Sequence, residues 1–297
     1  MRCKMLQDYI IRVTTTDGSI RAFAGRTTNT VNEAVAIHKT SPVVSAALGR
    51  LITITAIMGL TLKDETDLIT VNIKGNGSLS GLTVTADNRG NVKGYPYVQN
   101  VDIPNKPNGK LDVSGALGDG TLTIIKDIGM KEPYVGQTHL ISGEIAEDIT
   151  YYFATSEQTP SSVGAGVLID VDYTVKQAGG FLIQAMPLAD EKVLEDLEQS
   201  LLKLESITSL LEQGKTPEDI LDMTLDSYTV HETIEVKYYC NCGRDRVEKA
   251  LISVGLEELN NILEQERSTS LHCHFCNKNY FFDENDLKKI IQSVQSK

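Results

Sequence analysis

Cys240, Cys242, Cys273 and Cys276 are the residues of this chain whose type and spacing best suit chemistry. They form a C-x-C pair and a C-x-x-C pair separated by 30 residues, and they are four of the five cysteines in 297 residues. Two close thiol pairs are the donor set of a tetrahedral Zn–S4 site, because each pair can present both sulfurs to one ion from a short turn. Two structural disulfides, or four unrelated buried thiols, are the competing readings. Four thiolates saturate a tetrahedral ion and leave no open position for water, which disfavours hydrolytic zinc chemistry. His272 and His274 flank Cys273. Either could replace one thiolate as a ligand, or both could serve as nearby cations that keep thiolates reactive. Cys3 stands apart and reads as a bystander.

Composition bounds the function. The net charge is −12, which disfavours an unaided grip on nucleic acid. The first residues, MRCKMLQDYIIRVTTTDG, lack an apolar core followed by a small-residue cleavage site. That points to no export signal and to reduced thiols in a cytoplasmic setting. Residues 42–62 are long and apolar enough to imitate a membrane span, but they carry Arg50 near the middle. A charge there is costly in lipid, so a buried core helix is expected and no membrane partner.

The elements that must position the cysteines follow from hydrophobic periodicity. Residues 8–25 alternate around Asp17-Gly18, a hairpin signal. A short helix capped at Thr30 or Asn32 and ending near His38 comes next, then a longer helix opened by Pro42. Strands are expected at 68–73, 82–86 and 121–125. The Gly75–Gly81 loop precedes a strand rather than a helix, so it is a hairpin connection and no phosphate loop. Glu144–Gln158 reads as an amphipathic helix; 163–171 and 181–185 read as closing strands, with Gly179-Gly180 as their turn. His38 and His139 have no partner at a catalytic spacing and read as structural. The expected fold class is α+β: a core of mostly antiparallel sheet with helices (1–187), an acidic amphipathic helical linker (188–235), and a small zinc-binding α+β module (236–297).

The linker is unusual. Residues 190–226 hold eleven acidic side chains against three basic ones, while Leu194, Leu197, Leu201, Leu204 and Leu211 draw an apolar stripe. Such a helix is either conditional, folded only while its stripe is docked, or an ordinary packed connector. The module after it has nine basic and nine acidic residues, so no basic stripe serves a phosphate backbone. A unit of this size is marginal on its core alone. A structural zinc contributes about 10–16 kcal/mol of apparent binding, as much as the whole stability of an ordinary domain. Oxidising either cysteine pair would remove two ligands and with them that stabilisation.

The sequence resembles the heat shock protein 33 family. The matching stretches are Tyr239-Cys240-Asn241-Cys242, Arg246 to Leu251, Gly255 to Leu259, and Cys273-His274-Phe275-Cys276 with Tyr280 and Phe282. In the core they are Gln177 to Gly180 and Gln184 to Pro187. Gly243 stands where many members have Ser, away from the ligand positions. The resemblance implies a non-enzymatic, ATP-independent holdase of the cytoplasm, tied to heat shock and oxidative stress. It would be inactive when reduced and bound to one Zn2+ per chain. Oxidation would form Cys240–Cys242 and Cys273–Cys276 disulfides, release zinc, unfold the linker and favour a homodimer that binds unfolding client proteins. The alternative is a zinc-ribbon module that docks nucleic acid or a protein partner.

Overall fold

The computed structural model describes residues 7–187 and 189–295, so Cys3 lies outside the described residues. Packing divides the chain into two compact units, Met1–Tyr239 and Cys240–Lys297.

The first unit begins with the hairpin β1 (Tyr9–Thr15) and β2 (Ile20–Arg26), whose turn places Gly18 at φ 74°. Helix α1 (Thr28–His38) follows. Its N-cap is Thr27, earlier than Thr30 or Asn32. The Thr30 amide and hydroxyl are committed instead to the buried Asp8 carboxylate, at 2.7 and 2.8 Å. Helix α2 (Pro42–Gly59) starts on its proline, and 89% of it is buried. It packs against strands of both sheets of this unit, which is why an all-round apolar sequence suits it. Arg50 escapes the apolar interior because Glu144 accepts its Nη1–H at 2.6 Å, and Lys106 also pairs with Glu144.

Strands β3 (Leu68–Gly75), β4 (Gly81–Ala86) and β5 (Asn91–Pro96) form a meander. The glycine-rich 75–81 segment is the β3–β4 connection, as its sequence context requires. Helix α3 (Val113–Leu117), β6 (Gly120–Asp127), β7 (Tyr134–His139) and α4 (Ala146–Thr155) come next. Helix α4 starts at a strained point: Ile145, a β-branched residue, sits at φ 70° and is fully buried. The buried Asp148 carboxylate holds it there. One oxygen accepts from the amides of Ile141, Ser142 and Gly143, and the other accepts from that of Ile145 at 2.9 Å.

Strands β8 (Ser161–Ile169) and β9 (Val175–Ala185) close the core. Here the structure corrects the expected turn. Gly179 and Gly180 lie in the middle of β9, and the chain reverses at Asp170–Thr174, where the Asp170 amide donates to Thr174 O. The glycines answer a packing demand. A Cβ on Gly179 would meet Gly25 O at 2.6 Å, and one on Gly180 would meet Gly164 O at 2.5 Å.

Residues 189–239 remain part of this unit. The leucine stripe spans two helices rather than one: α5 (Glu191–Lys203) and α6 (Ile207–Glu212). Ser206 interrupts it as an N-cap, accepting from the Ser209 amide, a local bond that competes with continuing the helix. Helix α7 (Pro217–Asp222) starts at a capping box between Thr216 and Asp219. Strand β10 (Tyr228–Glu235), unforeseen in a helical linker, pairs with β1, and the short β11 (Lys237–Tyr238) pairs in parallel with β5. The sheet orders are β10-β1-β2-β9-β8 and β11-β5-β4-β3-β6-β7, antiparallel apart from β11–β5.

The five-stranded sheet has two faces. One faces the main core around α2. The other presents Ile11, Val13, Ile20, Ala22, Ala24, Phe181 and Ile183, and it is covered by Ile207, Leu210, Leu211, Ile220, Leu221 and Leu225. Val193, Leu194, Leu197, Leu201 and Leu204 add partly buried contacts. Helix α5 has no fully buried residue, so it is the least firmly docked part of that cover.

The second unit holds α8 (Arg244–Ile252), α9 (Leu256–Gln265), β12 (Thr269–His272), β13 (Asn279–Phe282) and α10 (Glu284–Gln295). The last helix is capped by Asp283, whose Oδ1 accepts from the Asp286 amide at 2.9 Å. Six buried side chains form its core: Leu251, Leu259, Phe282, Leu287, Ile290 and Ile291.

Two outcomes test this packing. Asp148→Ala strips four amides of their acceptor and is expected to cost about 3–5 kcal/mol in urea unfolding; a loss under about 1 kcal/mol would show that the carboxylate does not hold Ile145. Burial raises the Glu144 carboxyl, but hydrogen bonds from Lys106 and Arg50 outweigh it and the net shift is downward. A carboxylate with a depressed folded value stabilises above its unfolded value and loses that contribution as pH falls through the folded one. Glu144→Gln should therefore melt below the parent at pH 7, with the gap closing in acid. A gap that stays constant from pH 7 to the carboxylate range contradicts the ion-pair role.

Candidate metal centre

The two cysteine turns are built differently. Cys240 and Cys242 lie on the extended segment that enters α8, where Gly243 has φ −153° and its carbonyl accepts from the Arg246 and Val247 amides. Cys273 and Cys276 lie on the loop of the β12–β13 hairpin. Cys273 O accepts from the amides of Cys276 and Asn277, and the Cys273 amide donates to Lys278 O at 2.9 Å. Asn277 takes the left-handed conformation (φ 55°) that tightens the loop, a role asparagine fills more easily than other side chains. Arg244 braces the two pieces of chain. Its guanidinium lies 4.4 Å from the Phe282 ring centroid, donates to Phe281 O at 2.7 Å and pairs with Asp286.

The four expected cysteines come together. Their sulfurs all lie within 4.8 Å of one another, and no other group of three or more potential ligands is so placed among the described residues. Cys240 Sγ is 3.7 Å from Cys273 Sγ, and Cys242 Sγ is 3.2 Å from Cys276 Sγ. A tetrahedron with Zn–S bonds of about 2.3 Å has S–S edges of about 3.8 Å. The cluster is therefore of the right size for a Zn–S4 site, and all four residues are free thiols. The donor chemistry and spacing fit a metal ion. Both of these contacts cross between the turns, the arrangement expected when one centre ties both together.

The thiols are not equivalent. Burial raises Cys242, but a hydrogen bond from the Tyr280 phenol at 3.1 Å and contacts with the other thiols bring it down to about 7. Burial raises Cys240 and Cys276. Tyr280 is pushed up to about 12, chiefly by its bond to Cys242, so it remains a donor at neutral pH. Cys242 is therefore the thiol of the cluster that ionises most readily, and a divalent cation would draw the protons off the others. All four cysteines are partly exposed, so an oxidant can reach them.

The sequence offered Tyr280 only as one of the residues that carry the family resemblance, with no sign of its contact with Cys242. Its place on β13, opposite Leu271 across the hairpin, gives it that contact. His272 and His274 are outside the sulfur group. Their rings stack edge to face at 5.3 Å, and His272 Nδ1 is 2.8 Å from Asn279 Oδ1. His38 is buried, with Nε2 3.2 Å from Tyr238 Oη, and His139 ends an edge strand.

Comparison with known proteins places these features in a family. The family model described as Hsp33 protein matches residues 8–283. A 33 kDa chaperonin of Lachnoclostridium phytofermentans is 52% identical over 288 residues, covering 96% of this chain and 99% of that protein. One from Clostridioides difficile is 46% identical over 292 residues, covering 97% and 100%. A crystal structure of the 33 kDa chaperonin (heat shock protein 33 homolog) of Thermotoga maritima superposes with TM-score 0.89 at 34% identity, covering 98% of this chain and 100% of that one. The chain belongs to the Hsp33 family, chaperones that act on unfolded proteins by binding them rather than by catalysis.

Proposed function

We propose that this protein is a redox-switched, ATP-independent holdase of the cytoplasm, in which Cys240, Cys242, Cys273 and Cys276 hold one Zn2+ in the reduced, inactive form. The observation that carries the reading is the four-sulfur cluster in a unit whose core is only six buried side chains. Zinc bound there supplies the cross-link between the 240–243 segment and the hairpin loop, and keeps four thiolates at neutral pH. Division of labour follows the sequence: 1–187 as the client-binding core, 188–235 as the linker and 236–297 as the switch.

Activation is a balanced oxidation. The Cys240 and Cys242 thiolates give up two electrons and form one disulfide, and Cys273 and Cys276 do the same. Each pair reduces one peroxide, which takes up two protons and leaves as two waters. Sulfur pairs within each turn replace the contacts across turns, and no thiolate remains to hold the ion. The module loses the about 10–16 kcal/mol that zinc contributes, more than so small a core can replace. The linker then leaves the sheet face it covers, and the exposed apolar surface binds unfolding clients, with a homodimer as the active form. The charge balance of 236–297 supports no nucleic-acid role, and the burial of α2 supports no membrane role.

The direct test measures zinc, free thiols and suppression of client aggregation before and after peroxide treatment. One zinc per chain is expected when reduced. Zinc release, loss of four thiols and onset of aggregation suppression should follow together. An oxidised protein that keeps its zinc while suppressing aggregation rules the switch out. A second outcome concerns Tyr280. Its hydrogen bond to a ligand sulfur is an outer-shell contact, and such contacts are worth about 10–100-fold in metal affinity. Tyr280→Phe should weaken zinc binding about 10-fold in chelator competition; unchanged affinity would reduce Tyr280 to packing.

A further inference from the structure

Along its middle, strand β10 is held by the edge of β1 chiefly through its backbone, while Tyr228 and Ile234 pack near its two ends. Seven register pairs join the two strands, yet residues 229–233 are all exposed. The register slips between Arg12 and Val13, leaving His231 as an extra residue in a bulge. The Val236 amide donates to Asp8 O at 3.1 Å, and the Thr16 amide donates to Ser227 O at 3.4 Å. Strand alternation from these two bonds turns the backbone of Ile10, Arg12 and Thr14 toward β10, and that of Thr229, Glu232 and Ile234 toward β1.

The edge itself is firmly built. Ile10, Ile11 and Val13 are fully buried, and β2 pairs with the other side of β1. It would therefore outlast the departure of β10. Apart from Tyr228, the side chains of β10 are poorly matched to the apolar face that the linker helices cover. Thr233 lies opposite Ile11 and Glu235 opposite Tyr9, and both Ile11 and Tyr9 belong to that apolar cluster. A strand with apolar residues at those positions fits better on both counts: backbone donors and acceptors for the edge, and alternate apolar side chains for the face. An extended segment of an unfolding protein has that chemistry.

We propose that the β1 edge, vacated by β10, receives an extended client segment by strand addition, so that β10 occupies in the resting protein the place a client takes in the active one. This rests on the redox reading only for how the edge opens. Backbone recognition would make the chaperone tolerant of client sequence, while the neighbouring apolar face would favour alternating apolar residues.

The test uses full-length protein and fluorescent peptides spanning Asp226–Lys237, read by anisotropy. Two forms open the edge independently: the oxidised protein, and a reduced Glu232→Pro/Ile234→Pro variant whose β10 lacks two of its donors to β1. The peptide should bind both forms, and the peptide with Thr233→Val should bind more tightly. N-methylation at Glu232 and Ile234 removes two backbone bonds and should weaken binding about 10-fold or more. N-methylation at Thr233 and Glu235, on the outer edge, should have little effect. Equal binding of both methylated peptides, or no binding to either form, overturns the proposal. Binding to the reduced variant alone, with the same methylation pattern, upholds the edge and removes oxidation as its opener. A dimer of the oxidised protein that the peptide dissociates, with clients failing to compete, would assign the edge to a second copy's β10 and overturn the client assignment.

Discussion

Four sulfurs from two pieces of chain gather within 4.8 Å of one another. The 240–243 segment and the β12–β13 loop meet at this cluster, and the unit behind it has a core of six buried side chains. Like charges would repel if all four thiols ionised without a cation, and neutral thiols would bond only weakly. The unevenness of the site expresses that conflict: Cys242 is drawn down to about 7 with Tyr280 as donor, while Cys240 and Cys276 are driven up by burial. A dication resolves it, and two disulfides resolve it in the opposite sense. The thiolate chemistry that would make the site a zinc ligand set would also make it oxidisable.

The first unit carries a matching asymmetry. One face of its five-stranded sheet is sealed by α2, an apolar helix with no exposed side to lose. The other face is sealed by α5, α6 and α7, which belong to an acidic stretch. Burying a leucine or isoleucine there contributes about 1.5–3 kcal/mol each, but α5 buries none completely. Its stability comes from docking, and its solvent face adds self-repulsion. The amphipathic pattern left two readings open, and the structure shows a docked helix with shallow burial, the condition under which a segment of a fold opens at low cost.

What could be read in the sequence was whatever depends on local spacing. The C-x-C and C-x-x-C pairs, the Asp17-Gly18 hairpin and the Pro42 helix start each involve neighbours in sequence, and each appears in the structure. What escaped depends on distant partners. Gly179-Gly180 looks like a turn until Gly25 and Gly164 crowd the same strands from either side. Strand β10 carries His231, Glu232 and Glu235 because its side chains face solvent, so it lacks the apolar alternation that marks a strand. Arg50 and Glu144 are 94 residues apart, and Tyr280 gains its role only when the hairpin brings it to Cys242. Ser206 divides the leucine stripe by a local bond that the spacing alone did not reveal.

In the proposed switch, the state of four sulfurs governs whether residues 189–235 stay docked. Amide hydrogen exchange on the full-length protein, reduced with zinc and then oxidised, tests it most directly. Protection should be lost across α5, α6, α7 and β10 on oxidation while the amides of β3, β4 and β6 keep theirs. Unchanged protection in α5 to β10 after four thiols have been oxidised would contradict it.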